Sequence, residues 1–379
     1  MYQFQERNEY FQELFDKKDL AVMGRNTNHF PNDPEIKEAL IAAIMAEEYH
    51  NYAPPCGILE LQALILKDLR SPECYALITN GATEALYQVT RVLLREGDDF
   101  ISTDPGYFIT HNFARYSGAN VIEIPIYSDK HRYKLTSELL RTHMTHKTKM
   151  IYLVDPNNPL GSCLQEDEVK KICDIAREAK AFFVQDCTYK DFADSHFPAI
   201  RYYPEGSIAI YSFSKWCGLA GMRIGAIVSH PSVIDQLTKA QMNNLGSSLV
   251  AQRGAIAALK TKERWFKKVF DLERYHQSIL NDMFKTLEGF FPTVYPAQTN
   301  FLTIDVSKSG FHPEFLSIKL LEKNIQVRHA GYNSRVYGDK FFRVGSTVPR
   351  EWIDRFCEAF PKIVKENKPS PYEPVRKLY

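Results

Sequence analysis

At 379 residues, 44% apolar and 25% charged, the chain is long enough for two domains sharing a substantial core and has the composition of an ordinary soluble globular protein. A net charge of +1 argues against a nucleic-acid or membrane surface as the main partner. Seven cysteines, scattered at positions 56, 74, 163, 173, 187, 217 and 357 with no Cys-x-x-Cys pair, suit a reduced, intracellular protein rather than a disulfide framework. The opening residues lack the apolar core of a signal peptide and carry acids foreign to a transit peptide. The longest apolar stretch, Ala39 to Ala46, is too short to span a bilayer. A soluble, cytoplasmic protein is expected.

In the first segment Phe4, Tyr10, Phe11, Leu14 and Phe15 recur at helical spacing, predicting an amphipathic arm that packs either on its own domain or on a second subunit. A polar loop over 25–31 precedes a helix from about Pro34 to Glu48. Pro54, Pro55 and Gly57 then make a rigid turn that exposes tyrosines, Tyr52 among them, ahead of a helix from Ile58 to Leu69. From residue 75 short apolar runs alternate with helical ones. Tyr75–Thr79 reads as a strand, and Asn80-Gly-Ala-Thr-Glu-Ala-Leu86 opens a helix. A strand, a small-residue turn and a helix N-terminus together form an anion site from free backbone N–H groups and the helix dipole.

The strand Asp99–Ser102 ends in Asp104-Pro-Gly-Tyr-Phe108, a turn from which Tyr107 projects. A strand over Val121–Pro125 follows, then His143 and His146, which read as a solvated polar face rather than a metal site; no metal is expected. The buried strand Met150–Val154 leads into Asp155-Pro-Asn-Asn-Pro-Leu-Gly161, where Asn158 supplies an amide able to donate to an oxygen. After an amphipathic helix from Glu166 to Ala181, the strand over 182–185 ends in Asp186-Cys-Thr-Tyr189. A carboxylate at the end of a buried strand is costly without a partner. Cys187 reads as packing.

Ser207–Phe213 is the strand that delivers Lys215. The short link from Trp216 to Gly221 suits an antiparallel neighbour over Met222–Ser229, because a parallel one needs a longer crossover. Gly218, Gly221 and Gly225 allow close backbone approach, while Ser212, Ser214 and Arg223 can hold an anion. A lysine beside such an anion site is suited to forming a Schiff base with a carbonyl. Beyond Pro231 the pattern is helical almost without a break to about Gly289, which carries the chain out of the first domain. Strands near Phe301–Asp305 and over 341–344, and helices from Pro313 and Pro349, complete it.

The run Ser-Phe-Ser-Lys-Trp-Cys-Gly-Leu-Ala-Gly-Met-Arg-Ile-Gly, residues 212–225, closely resembles the cofactor-lysine signature of the pyridoxal-phosphate-dependent class I/II aminotransferases. Other pieces of that family's site follow in order along nearly the whole chain, and the end of the chain resembles histidinol-phosphate aminotransferases. The resemblance implies pyridoxal 5′-phosphate as cofactor, attached to Lys215. It implies a phosphate cradle of Gly81, Ala82, Thr83, Ser212, Ser214 and Arg223, with Tyr52 reaching across a homodimer to the other subunit's phosphate. Tyr107 would stack on the pyridine ring, Asn158 and Tyr189 would bond its ring oxygen, and Asp186 would hold its nitrogen protonated as an electron sink. Arg343 would grip the substrate carboxylate, with Arg328 and Asn28 (and His29 beside it) as further substrate contacts. Two departures stand out: Leu160 replaces a threonine, which would alter what lies near the substrate, and Cys187 replaces a glutamate.

The implied fold is α/β, type I of the pyridoxal-phosphate enzymes. It has a large domain over 48–270 with a mostly parallel seven-stranded sheet, and a small α+β domain from 271–379, joined by part of the arm over 1–47. The implied reaction moves an amino group between an amino acid and a 2-keto acid through the Lys215 Schiff base. A lyase or decarboxylase similar to threonine-phosphate decarboxylases is the alternative on the same fold. The presence of both Lys215 and Asp186 speaks against a cofactor-free binding protein.

Overall fold

Runs of five to seven residues, buried almost throughout except in the edge strand Asn120–Pro125, alternate with amphipathic helices between Tyr75 and Ser229, and that alternation is what builds a sheet covered by helices on both faces. The computed structural model describes residues 3–240 and 244–369. Its strands, numbered along the chain, are β1 (Ala21–Val22), β2 (Tyr75–Thr79), β3 (Asp99–Asp104), β4 (Asn120–Pro125), β5 (Thr148–Val154), β6 (Phe182–Asp186), β7 (Ser207–Ser212), β8 (Gly225–Ser229), β9 (Phe291–Pro292), β10 (Phe301–Asp305), β11 (Ile325–Gln326), β12 (Arg328–His329) and β13 (Phe341–Gly345). Seven of them form the main sheet in the order β2-β8-β7-β6-β5-β3-β4.

Only β8 runs against its neighbours; the other contacts in this sheet are parallel. The expected antiparallel neighbour of the lysine strand is therefore present. It begins at Gly225 rather than Met222, because Ala220–Met222 closes a short 3-10 turn first. The parallel strands all end on one edge, where the loops after β2, β5, β6 and β7 gather, and an open α/β sheet presents its ligand site at that edge.

A second, four-stranded antiparallel sheet, β12-β13-β10-β9, has its own core of Leu302, Ile304, Phe342, Val344, Phe356 and Phe360. The parallel pairing of β1 with β11 ties the beginning of the chain to this part. The 36-residue helix Leu249–Phe284 joins the two cores: Ala251, Ala255 and Val269 pack with the main sheet, Leu280 and Phe284 with the second. The expected 270/271 division falls within this helix.

The almost unbroken helix expected from Pro231 is in fact two, Pro231–Lys239 and Leu249–Phe284. Between them Gly246 has φ of +76° and lies against the backbone of Ala53 and Pro54; a Cβ there would come within 2.7 Å of the Pro54 carbonyl oxygen. The N-terminal segment is the expected helix, Gln3–Asp16. It packs on its own chain, with Leu14 buried and Phe4 and Phe15 left exposed.

Candidate active site

The register places the key residues. Thr79, the last residue of β2, and Ser212, the last of β7, both pair with Gly225, the first of β8. The turn after β2 and the turn after β7 therefore meet around Gly225. Gly81 caps the helix Ala82–Leu93 with φ of +88° and without any side-chain cap, so the first-turn N–H groups of Ala82 and Thr83 face this meeting point. A Cβ on Gly81 would lie 2.6 Å from Arg223 Nη2, and one on Gly225 would lie 2.8 Å from the Ala82 nitrogen. Arg223 itself adopts φ of +53°, donating from Nη1 to the Ala220 carbonyl at 2.9 Å. Ser212 Oγ accepts from the Ser214 N–H at 3.2 Å, holding the turn that presents Lys215. Gly81, Ala82, Thr83, Ser212, Ser214 and Arg223 thus form one cradle of donors at a helix N-terminus.

Lys215 leaves this cradle half-buried and donates to the Arg25 carbonyl at 3.0 Å. Burial foremost, and then the positive charges of Arg343, Arg328 and Arg223, bring its ammonium group down to about 7, against the opposite pull of Asp186. Asp186, the last residue of β6, is 4% exposed and has no cationic side chain in salt-bridge range among the described residues. Its Oδ1 accepts from the Thr188 N–H at 3.0 Å, and its Oδ2 accepts from the Tyr152 hydroxyl at 3.4 Å. Burial pushes its carboxyl up, opposed by those two bonds and by Lys215.

Tyr107 begins the helix Phe108–Tyr116, and its hydroxyl lies 3.5 Å from Thr83 Oγ1. Tyr189 is buried edge-on to Phe301, and burial pushes its phenol up to about 12. Asn158 Oδ1 accepts from Arg343 Nη1. Arg343 is 5% exposed, sits 5.0 Å over the Phe301 ring and leaves Nε without a partner among the described residues. Burial holds its guanidinium down, to about 9. Arg328 faces Arg343 directly across β12 and β13.

Other sequence candidates are placed elsewhere. Asn28 uses both ends of its amide on backbone, donating to the Trp216 carbonyl at 2.8 Å and accepting from the Phe30 N–H at 2.9 Å. It holds the 25–31 loop against the lysine turn. His29 turns the other way, onto Trp352 at 5.0 Å. Tyr52 is 77% exposed and makes no part of the site within one chain. Leu160 was expected to change the substrate's surroundings, but it is fully buried in the core with Ile101, Ile151 and Phe341. Its threonine-to-leucine departure adds apolar packing beneath the site. Cys187 is buried packing, with Sγ 3.5 Å from the Gln185 carbonyl.

Sequence reasoning missed Asn26. Its side-chain amide donates to the Tyr189 hydroxyl at 3.2 Å, and its φ of +53° is the one local signal, since asparagine is favoured there. Tyr152 was read only as a strand residue, yet its hydroxyl reaches Asp186. Nothing in the strand pattern separates it from a packing tyrosine.

A buried carboxylate without a cation, a donor cradle that a single Cβ would fill, and a lysine held near neutrality between them fit pyridoxal phosphate: a ring cation, a phosphate and an aldehyde. The family model described as aminotransferase class I and II matches residues 6–360. The chain belongs to that family. Among curated proteins it is 28% identical over 371 residues to an aspartate aminotransferase of Pyrococcus horikoshii, covering 94% of this chain and 93% of that one. It is also 28% identical over 357 residues to a histidinol-phosphate aminotransferase of Methanococcus maripaludis, covering 92% and 91%. Among solved structures, the aspartate aminotransferase of Thermus thermophilus with maleate superposes with a TM-score of 0.83 at 21% identity, over 96% of this chain and 97% of that one. The protein is a pyridoxal-phosphate-dependent aminotransferase with the type I fold. No helix among the described residues is long and apolar enough to cross a membrane.

Proposed function

We propose that this aminotransferase acts on an α-amino acid whose carboxylate is gripped by Arg343 and Asn158, with Lys215 as the residue that both carries the cofactor and moves the α proton. The observation that carries the reading is the place of Lys215, presented by the turn that meets the donor cradle at Gly225, with the buried carboxylate of Asp186 and three arginines acting on its charge. Bound pyridoxal phosphate supplies an aldehyde for the lysine and a protonated ring that draws electron density from the substrate's α carbon. Lys215 Nζ, freed once the incoming amine has taken its place, would take the proton from that carbon as general base, a role that its lowered pKa suits. Asp186 would hold the proton on the ring nitrogen, and the cradle of Gly81, Ala82, Thr83, Ser212, Ser214 and Arg223 would fix the phosphate, with Tyr107 available to the ring. Tyr189, held by Asn26, and Asn158 would bond the ring oxygen. The unpartnered Nε of Arg343 is available to a substrate carboxylate.

A homodimer completes the site in this reading. Tyr52 is exposed, as are Ile44, Met45, Tyr49 and Leu59 within the same stretch of chain, which supports burial against a second copy. Mixing inactive Lys215→Ala and Tyr52→Ala subunits tests it: hybrid dimers carry one intact site if Tyr52 crosses, and activity returns. The absence of regained activity would remove the crossing tyrosine. The seven free cysteines support a reducing, cytoplasmic setting.

The reaction is read from the visible absorbance of the loaded enzyme. Bleaching by one amino acid and recovery with a keto acid names the donor. Bleaching that no keto acid reverses, or release of carbon dioxide, would move the reading to a lyase or decarboxylase.

A further inference from the structure

The N-terminal helix and the helix Pro313–Glu322 enclose a cavity of about 340 Å³. Its apolar lining is Tyr10, Phe11, Ile318, Leu321, Val327 and Tyr332, and Arg328 lines it too, with Glu314, Ser317, Gln326 and His329. The volume falls within the range of small-molecule sites, roughly 300–1,000 Å³.

Two chains of contact join the cavity to the reacting centre. Residues directly opposite in an antiparallel pair leave the sheet on the same face, so Arg328 and Arg343 stand side by side. Arg343 continues to Asn158, while the Arg328 guanidinium turns onto the Tyr332 ring at 4.4 Å. From the other side, the Arg25 guanidinium lies 5.3 Å over the Phe11 ring, and the Arg25 carbonyl receives Lys215 Nζ. The cavity thus shares Arg328 in its lining, the residue beside the one that grips the carboxylate.

We infer that this cavity receives the side chain of the amino-acid substrate and selects a bulky apolar one, aromatic above all. The inference rests on the aminotransferase reading of Lys215 and Arg343. Three aromatic and three aliphatic walls gain by burying apolar surface, and an aromatic ring fills them where a methyl group leaves them empty. The competing occupant is an acidic or phosphorylated side chain drawn to Arg328.

The experiment measures kcat/KM of the holoenzyme for phenylalanine, tyrosine, leucine, alanine and aspartate, with wild type and Ile318→Trp. Ile318 is 38% exposed on its helix, so the larger ring can enter the cavity without replacing a core side chain. Phenylalanine and tyrosine should exceed alanine and aspartate by more than about tenfold. Ile318→Trp should lower the phenylalanine value by more than about tenfold and leave alanine within about twofold. Inhibition by 3-phenylpropanoate, which has no amine to react, should weaken in parallel. Aspartate as the best substrate, or an equal loss for phenylalanine and alanine in the variant, overturns the inference. Conversion of none of the five would sink the aminotransferase reading itself, and the inference with it.

Discussion

An ordinary lysine titrates near 10.4, so at pH 7 only about one molecule in 2,500 is neutral and nucleophilic. Lys215, held at about 7, is neutral in about half, a gain on the order of a thousandfold in reactive amine. Burial is the first cause and the Arg343 charge the second, so Arg343→Met should return part of the basicity. The assay is stopped-flow absorbance as cofactor-free protein takes up pyridoxal phosphate between pH 5.5 and 9.5. The wild-type rate should rise with pH and level off above about 7; in Arg343→Met the plateau should come at higher pH and the rate at pH 7 should fall. The same titration affects stability. Below about pH 7 the folded and unfolded chains both hold the lysine proton; from there to about 10.4 only the unfolded chain holds it, so wild-type stability rises with pH across that window. Lys215→Met should therefore melt above wild type at pH 6, with the gap closing as pH rises. A wild-type uptake rate that climbs tenfold per pH unit through pH 9 without levelling would refute the argument.

Asp186→Asn should keep the fold by circular dichroism and lose at least about a hundredfold in kcat, since the charge proposed to keep the ring nitrogen protonated would be gone. Gly81→Ala forces a Cβ to 2.6 Å from Arg223 Nη2 at a positive φ, and should raise the cofactor dissociation constant by more than about tenfold, read by equilibrium absorbance. Asp68 joins Lys190 and Lys262, each at 2.5 Å, and accepts from the Tyr211 hydroxyl at 2.7 Å behind the lysine strand. These lysines hold its carboxyl below the usual range against the opposing effect of burial, so its contribution is present above the unfolded pKa and lost as pH falls. Asp68→Asn should cost about 3–5 kcal/mol in urea unfolding at pH 7, and less toward pH 3. Leu77→Ala, in the fully buried part of β2, should cost about 2–5 kcal/mol in the same assay.

By itself the sequence determined the alternation of strands and helices, the lysine turn and the family. Each depends on residues close together in the chain: the spacing of apolar positions, the glycines that admit left-handed turns, and a short signature around Lys215. Boundaries shifted where a turn competed with the strand, as at Ala220–Met222, and the helix after Pro231 broke at a glycine whose backbone packs on residues nearly two hundred positions earlier. Tertiary structure alone decided which of the family's expected residues face one point. Asn26 and Tyr189, 163 residues apart, meet only because the 25–31 loop is tied down by Asn28 on Trp216 and by Asn300 on the Asn26 carbonyl. It decided that Leu160 faces the core, that Asn28 braces a loop, and that Arg328, beside Arg343, lines a mainly apolar cavity. Local propensity sets backbone conformation within a few residues, whereas these meetings depend on the path of the whole chain through two cores, which no short pattern encodes.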